Sequence, residues 1–307
     1  MTDIRLGIVG VGKIARDQHI PSIAKTDGIS IVASASRHAF VEGLPQFRSL
    51  AEMLAADVEI DAVSLCTPPQ VRHADALLAL KAGKHVLLEK PPGATVSEID
   101  PLIDAARSAG VSLFATWHSR FAPAVEPARA WAADAAIESV HVEWKEDVRH
   151  WHPGQDWIWE PGGLGVFDPG INALSIVTAI LPRKMFLERS TLSFPANRAQ
   201  PIAASLAFRD SEGIPVTAEF DWRQTGPQTW DVTILADKGR LTLSKGGSVL
   251  SIDGTVVSEE PDAEYAGIYR RFVDLVGSGR SDVDLSPLAH VADAFLLGRR
   301  EIVEPFL

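Results

Sequence analysis

The narrowest constraint on this chain is a turn of six residues. The largely apolar run Ile4–Val9 passes directly into Gly10-Val11-Gly12-Lys13-Ile14-Ala15 and then into a helical pattern. In such a strand–turn–helix unit the first glycine permits the tight turn, the second lets another group approach the backbone, and the small Ala15 lets helix and strand pack closely. Amide groups at the helix start, reinforced by the helix dipole, then form an anion site suited to a pyrophosphate. The motif therefore reads as a dinucleotide cradle with Gly10, Gly12, Lys13 and Ile14 at its contact positions; a plain structural turn is the alternative.

The residues up to His118 repeat the alternation that this unit begins. Strand patterns at Ile29–Ala35, Asp61–Thr67, His85–Glu89 and Val111–Trp117 are separated by helical stretches at Lys13–Lys25, Ser49–Ala56, Gln70–Ala82 and Val96–Ala109. Runs such as Ala62-Val63-Ser64-Leu65 barely alternate, as expected where both faces of a strand are buried. Residues 1–118 are thus expected to form an α/β Rossmann domain, a doubly wound parallel sheet. Beyond it the pattern changes. Val216, Ala218, Phe220 and Trp222 share one parity and Thr217, Glu219, Asp221 and Arg223 the other, which predicts strands with one buried face. Similar runs lie at Ser139–Asp147, Leu187–Phe194, Ile202–Phe208, Trp230–Leu235 and Leu241–Ser244, with helices opening near Pro169 and spanning Tyr265–Val276 and Pro287–Arg299. Residues 119–307 read as a second, α+β domain with a large open, mostly antiparallel sheet. No Ser/Gly linker separates the halves, so they are expected to pack closely around a cleft.

Composition narrows the partners. With 29 Lys and Arg against 40 Asp and Glu the formal charge is −11, and no basic run offers nucleic acid a landing site. The single cysteine, Cys66, excludes an internal disulfide, and no apolar stretch reaches the length of a membrane span. Met1-Thr2-Asp3 leads into the first strand without a leader pattern, so a cytoplasmic protein is expected.

At the end of the second strand, where NAD sites place a carboxylate for the ribose, stands Ser36-Arg37-His38. A hydroxyl beside a guanidinium matches a 2′-phosphate, favouring NADP with NAD still possible; an ordinary solvated arginine is the other reading. Two more strand ends carry unusual turns, Cys66-Thr67-Pro68-Pro69-Gln70 and Glu89-Lys90-Pro91-Pro92-Gly93. Ligands of open α/β sheets lie beyond the carboxyl ends of the strands, so Cys66, Thr67, Pro68, Glu89 and Lys90 join the cofactor candidates, although Pro68 and Pro91 also read as helix starters. Lys90 follows an apolar strand directly, and a lysine partly desolvated at the mouth of a sheet suits acid–base work.

Candidates in the second half are more scattered. Asp168 before Pro169 describes either a helix cap or a site carboxylate, and Asn172, four residues on, shares its helix face. The apolar parity Val140, Val142, Trp144 leads to Glu146, which points to a polar pocket at the strand end, whereas Asp147 falls on the solvent parity. His118 ends the last Rossmann strand. His152 sits in an aromatic loop with Trp151, Trp157 and Trp159, a combination suited to sugars, which offer apolar C–H faces flanked by hydroxyls. His150 and His152 lack a recognisable third ligand, so no metal is expected, and Cys66 reads as a small buried apolar residue.

Taken together, Gly10–Ala15, Cys66-Thr67-Pro68-Pro69 and Glu89-Lys90-Pro91-Pro92 resemble the Gfo/Idh/MocA oxidoreductases in order and spacing. The resemblance continues through Trp117-His118-Ser119-Arg120-Phe121, Gly162-Gly163 and Asp168–Asn172, and therefore covers essentially the whole chain. Trp144–Arg149 and Trp151–Gln155 look closer still to the subgroup of bacterial L-arabinose and D-galactose 1-dehydrogenases that use NAD(P). The resemblance implies Lys90 and Asp168 as catalytic residues, His118, Glu146, Trp151, His152, Asn172 and Trp230 around an aldose, and a homo-oligomer, dimer or tetramer, built on the open sheet. One departure is visible: most members carry histidine where this chain has Asn172, so only an orienting amide is available there. The expected activity is oxidation of an aldose at its anomeric carbon to the aldonolactone. A non-catalytic NADP-sensing protein and a sugar oxidoreductase with tightly held cofactor are the alternatives.

Overall fold

The computed structural model describes residues 3–307; Met1 and Thr2, which open the first expected domain, lie outside the described residues. The chain divides into two compact units, 3–118 with 265–285, and 119–264 with 286–307.

Unit 1 holds a six-stranded parallel sheet of β1 (Ile4–Val9), β2 (Ile29–Ala35), β3 (Gln46–Phe47), β4 (Ala62–Leu65), β5 (His85–Leu88) and β6 (Leu113–Ala115), in the order β3-β2-β1-β4-β5-β6. The chain runs outward from β1 to β3 and then restarts on the other side of β1, creating the switch point where such sheets bind ligands. Helices α1 (Ile20–Ile23), α2 (Leu50–Ala55), α3 (Pro69–Lys81) and α4 (Asp100–Ala109) connect the strands. Ser49 caps α2 by accepting the Glu52 amide at 3.2 Å, and Gly110, at φ 68°, stops α4. A core of Leu50, Met53, Val63, Leu65, Leu80, Val86, Leu88 and Leu102 lies under α2, α3 and α4, each large side chain contributing about 1.5–3 kcal/mol.

The helix expected over Lys13–Lys25 is interrupted by a π-helical stretch, Ala15–His19, before α1. Pro21 has no amide to give the fourth carbonyl back, so the backbone widens there. That widened turn carries His19, which is fully buried.

Unit 2 is built on a nine-stranded sheet: β7 (Ile137–Lys145), β8 (Met185–Pro195), β9 (Ala203–Asp210), β10 (Pro215–Asp221), β11 (Thr229–Ala236), β12 (Gly239–Ser244), β13 (Val249–Ile252), β14 (Thr255–Glu259) and β15 (Gly298–Val303). Their order is β14-β13-β12-β11-β7-β10-β9-β8-β15. Only β7 with β10 and β8 with β15 run parallel, so the sheet is mixed and mostly antiparallel. The buried parity Val140, Val142, Trp144 of β7 faces that of β11 through Val142↔Val232 and Trp144↔Trp230. Helices α5 (Val125–Ala133), α6 (Val148–Trp151) and α7 (Phe167–Ile180) belong to this unit. Nearly every side chain of α7 is buried, and a Cβ at Gly170 would meet the Phe220 ring at 2.6 Å.

The next helix, α8 (Glu264–Ser278), corrects the expected domain assignment. It packs with unit 1, burying Tyr265, Tyr269, Phe272 and Leu275 on one face, at the spacing of an amphipathic stripe. Phe272 stacks on Phe114 at 6.4 Å, Ala115 donates to the Asp282 carbonyl at 3.0 Å, and the Trp117 indole donates to that of Asp284 at 2.9 Å. The edge strand β6 thus obtains its outer partner from a segment almost 170 residues away. Helix α9 (Ser286–Leu297) returns to unit 2 and runs straight into β15, a strand hidden from sequence reading by its exposed Arg299, Arg300 and Glu301. Charge of that kind is what keeps a sheet edge from pairing further. Among the described residues no helix is long and apolar enough to cross a membrane.

Candidate functional site

Unit 1 presents the glycine turn at the end of β1. Gly10 has φ 86°, and a Cβ there would stand 2.9 Å from the Thr67 amide nitrogen and 2.9 Å from its methyl group. Only glycine fits between the first turn and the second. Gly12, by contrast, has no neighbouring atom within 4 Å of a Cβ position and is exposed, which leaves room for a phosphate group against the backbone. Lys13 and Ile14 are exposed beside it, and the lysine is paired with Asp17. Cys66 is nearly closed off at 9% exposure, next to the half-buried Thr67 and exposed Pro68. At the end of β2, Arg37 and His38 are exposed and Ser36 half-buried. These residues fit a dinucleotide: an open amide turn, no carboxylate at the ribose position, and a cationic strand end.

Lys90 is half-buried after β5, and the Lys90–Pro91 peptide is cis. Behind it lies a buried polar network that sequence reading did not anticipate. The Glu89 carboxylate accepts the Lys90 amide on one oxygen and the Tyr265 hydroxyl on the other. His19 Nε2 lies 3.5 Å from that second oxygen, and its Nδ1 lies 2.6 Å from the Tyr269 hydroxyl, which in turn is 3.3 Å from Ser64 Oγ. Burial would push Glu89 up, but the hydrogen bond and charge of His19, the charge of His118 and the Tyr265 hydroxyl outweigh it and hold the carboxyl far below the usual range. Burial likewise works against a charged His19, yet the Cys66, Tyr269 and Glu89 side chains carry it well above the ordinary imidazole value. Both shifts favour the charged forms of a pair enclosed in protein. Burial raises the Tyr269 phenol, whose hydroxyl bridges the His19 ring and Ser64 Oγ. His118, at the end of unit 1, stacks on Tyr265 with ring centroids 5.4 Å apart.

Unit 2 gathers the remaining candidates. Glu146, first residue beyond β7, keeps the buried parity of that strand at 5% exposure. Its carboxylate accepts the Trp230 indole N–H at 2.9 Å and the Trp222 indole N–H at 3.3 Å, each hydrogen bond to a charged acceptor contributing about 1.5–3 kcal/mol. Asp147, on the solvent parity but half-buried, caps α6 by accepting the Arg149 amide at 3.0 Å. That short helix carries Trp151, and His152 follows it. His152 Nε2 sits 3.8 Å from Glu146 and 3.5 Å from Asp168, while Nδ1 lies 3.5 Å from Gln155. Two buried carboxylates thus share one imidazole. Asp168 is not the cap of α7 but lies within its first turn, its amide bonded to the Gly165 carbonyl at 2.8 Å. An acidic side chain there is favoured by the helix dipole. Asn172, one turn on, is half-buried. Trp151, 41% exposed, meets Trp230 edge-on at 5.4 Å, and Trp230 lies 6.4 Å from Trp144.

The structure therefore brings Glu146, Trp151, His152, Asp168 and Trp230 together. Trp222 belongs with them and was missed because its parity reads simply as core; a fully buried indole nonetheless needs an acceptor, and Glu146 supplies it. His19 gives no signal inside a helical pattern, and Tyr265 and Tyr269 lie in a segment whose sequence pattern places it in the second domain.

Comparison with known proteins bears on the same residues. Residues 4–116 match an oxidoreductase family described as having an NAD-binding Rossmann fold. Over 306 residues the chain is 46% identical to a galactose 1-dehydrogenase of Pseudomonas fluorescens, covering 100% of this chain and 99% of that protein. The crystal structure of a D-galactose-1-dehydrogenase protein from Rhizobium etli superposes with a TM-score of 0.97 at 60% identity, covering 100% and 99% of the two chains. A 3-ketoreductase from Actinomadura kijaniata, solved with NADP, shares the fold at a TM-score of 0.83 and 18% identity, over 98% of this chain and all of that one. With the glycine turn, the Glu89-Lys90-Pro91 turn and a full-length relative in agreement, the chain belongs to the Gfo/Idh/MocA family of oxidoreductases.

Proposed function

We propose that this protein is an NADP-preferring sugar 1-dehydrogenase that oxidises the anomeric carbon of a cyclic aldose of D-galactose or L-arabinose configuration to the aldonolactone. The observation that carries this reading is Glu146, a buried carboxylate fixed by two indole N–H groups beside His152 and Asp168. Charged acceptors, an imidazole and aromatic faces are what a ring of hydroxyls on an apolar frame selects. Full-length likeness to galactose 1-dehydrogenases supports the substrate class. The Ser36-Arg37-His38 strand end, lacking a carboxylate, supports NADP over NAD.

In this reading Gly10, Gly12, Lys13 and Ile14 hold the pyrophosphate, Ser36, Arg37 and His38 the 2′-phosphate, and Cys66, Thr67, Pro68 and Glu89 border the rest of the cofactor. When bound, NADP supplies the hydride acceptor for C1. Lys90 takes the proton of the anomeric hydroxyl, so that C1–OH becomes the lactone carbonyl, and Asp168 is the second catalytic residue of this reading. His118, Glu146, His152 and Asn172 hold hydroxyls, and Trp151 and Trp230 wall the ring. The protein's share of the catalysis is orientation and proton removal. The uncovered sheet face, with His141, Thr217 and Glu219, is the surface expected to pair copies of the chain.

A panel of aldoses with NADP and NAD, followed at 340 nm, tests the proposal. D-Galactose and L-arabinose should reduce NADP faster than NAD, and Arg37→Ala should raise the KM for NADP by about tenfold, the loss expected for one charge-assisted hydrogen bond, with little effect on NAD. Cofactor binding without absorbance change on any aldose would favour the sensing protein, and cofactor that survives gel filtration would favour the oxidoreductase that recycles it in place.

A further inference from the structure

Beneath the Lys90 turn lies a cation that the proposed chemistry does not use. Arg72, in the first turn of α3, is 2% exposed. Its guanidinium donates to backbone carbonyls: Nε to that of Thr67 at 3.1 Å, Nη2 to the same oxygen, and Nη1 to those of Glu89 and Pro91. Burial pushes this guanidinium down to about 10, with the charge of Glu89 working in the opposite sense, so it is still a cation at neutral pH. Enclosing a cation costs several kcal/mol unless its donors are well met. Here they are met by oxygens at strand ends, where ladder partners run out.

The three carbonyls are not arbitrary ones. Thr67 belongs to the turn that touches Gly10, and Glu89 and Pro91 are the residues on either side of Lys90. Lys90 itself gives its amide to the Glu89 carboxylate, whose other oxygen is held by Tyr265. The lysine backbone is thus pinned before, at and after its own Cα. A planar fork with five donors can reach oxygens in two turns at once, which the compact ammonium of a lysine cannot.

We propose that Arg72 is a positioning residue for Lys90, riveting the lysine turn to the glycine and threonine turns of the cofactor cradle. This rests on the reading of Lys90 as the proton acceptor. A displacement of about 1 Å in such a group lowers turnover roughly a hundredfold.

Arg72→Lys and Arg72→Gln test this in the full-length protein. With D-galactose, both should lower kcat about a hundredfold. NADPH affinity, read by fluorescence titration, should stay within a factor of about three, equivalent to less than ~1 kcal/mol. The primary isotope effect with C1-deuterated sugar should rise as the chemical step becomes limiting. A role in folding alone would lower the melting temperature without moving that isotope effect. Hydrogen exchange needs no turnover. In the unsubstituted protein the peptide over 86–95 should exchange as slowly as the core strands, and in Arg72→Lys it should speed up at least tenfold while residues 4–9 stay protected. Loop-like exchange in the unsubstituted protein, or Arg72→Lys with unchanged kcat and exchange, overturns the assignment. If no aldose is oxidised by the unsubstituted protein, the dehydrogenase reading fails, and the exchange data still decide whether Arg72 holds the turn.

Discussion

Replacing His19 with glutamine isolates the enclosed ion pair behind the lysine turn. Glutamine can keep a contact to the Tyr269 hydroxyl, which lies 2.6 Å from the imidazole Nδ1, but cannot carry charge opposite Glu89. In the folded protein His19 holds its proton well above the ordinary imidazole value of 6.5, whereas in the unfolded chain it titrates near that value. The stability it contributes is therefore complete below pH 6.5 and is lost as pH rises toward the folded value, because folding must take up a proton that the unfolded imidazole has released. The slope is at most about 1.4 kcal/mol per pH unit, reached where the unfolded imidazole has released its proton and the folded one still holds it. Glu89 acts in the opposite direction: its depressed value makes a contribution that is present above about 4.5 and fades as pH falls below it. Urea unfolding of the parent and His19→Gln at half-unit steps from about pH 5.5 to 8.5 gives the difference, groups common to both cancelling. The stability gap should narrow as pH rises above about 6.5, by at most about 1.4 kcal/mol per pH unit, and stay level below it. Parallel curves across the whole range would refute an imidazolium at this position.

The other predictions concern turnover. Lys90→Ala should retain NADP affinity and lose most of kcat, typically a factor of about 10²–10⁴ for a proton-transfer group; near-normal turnover removes the lysine from the mechanism. Glu146→Gln should raise the KM for the sugar about ten- to a hundredfold, the equivalent of one hydrogen bond to a charged acceptor, and leave NADPH binding unchanged. An unaltered sugar KM would detach Glu146 from the carbohydrate.

Much of this architecture is legible in the chain because its signals are local. The strand-to-glycine-turn junction, the uninterrupted apolar strands and the alternating parity of β7 and β10 each depend on residues a few positions apart. The parity argument carries as far as Glu146, whose burial follows from the two-residue period of the preceding strand. What could not be read depends on partners far away in sequence. The return of α8 to unit 1 has no local marker, since an amphipathic helix does not state which sheet it covers. The role of His19 needs Tyr269, 250 residues on, and that of Arg72 needs carbonyls, which carry no side-chain identity at all. Trp222 shows the same limit in miniature: its apolar parity was correct, and its one polar atom supplied the information that parity discards.

Because Tyr265 and Tyr269 arrive so late in the chain, the amino-terminal unit leaves the ribosome incomplete. Until residues 265–285 are synthesised, Glu89 and His19 lack their hydroxyl partners and β6 keeps an uncovered margin. The first unit to emerge thus waits for a late segment, and translation must deliver strands β7 to β14 before the cradle can close over its own interior.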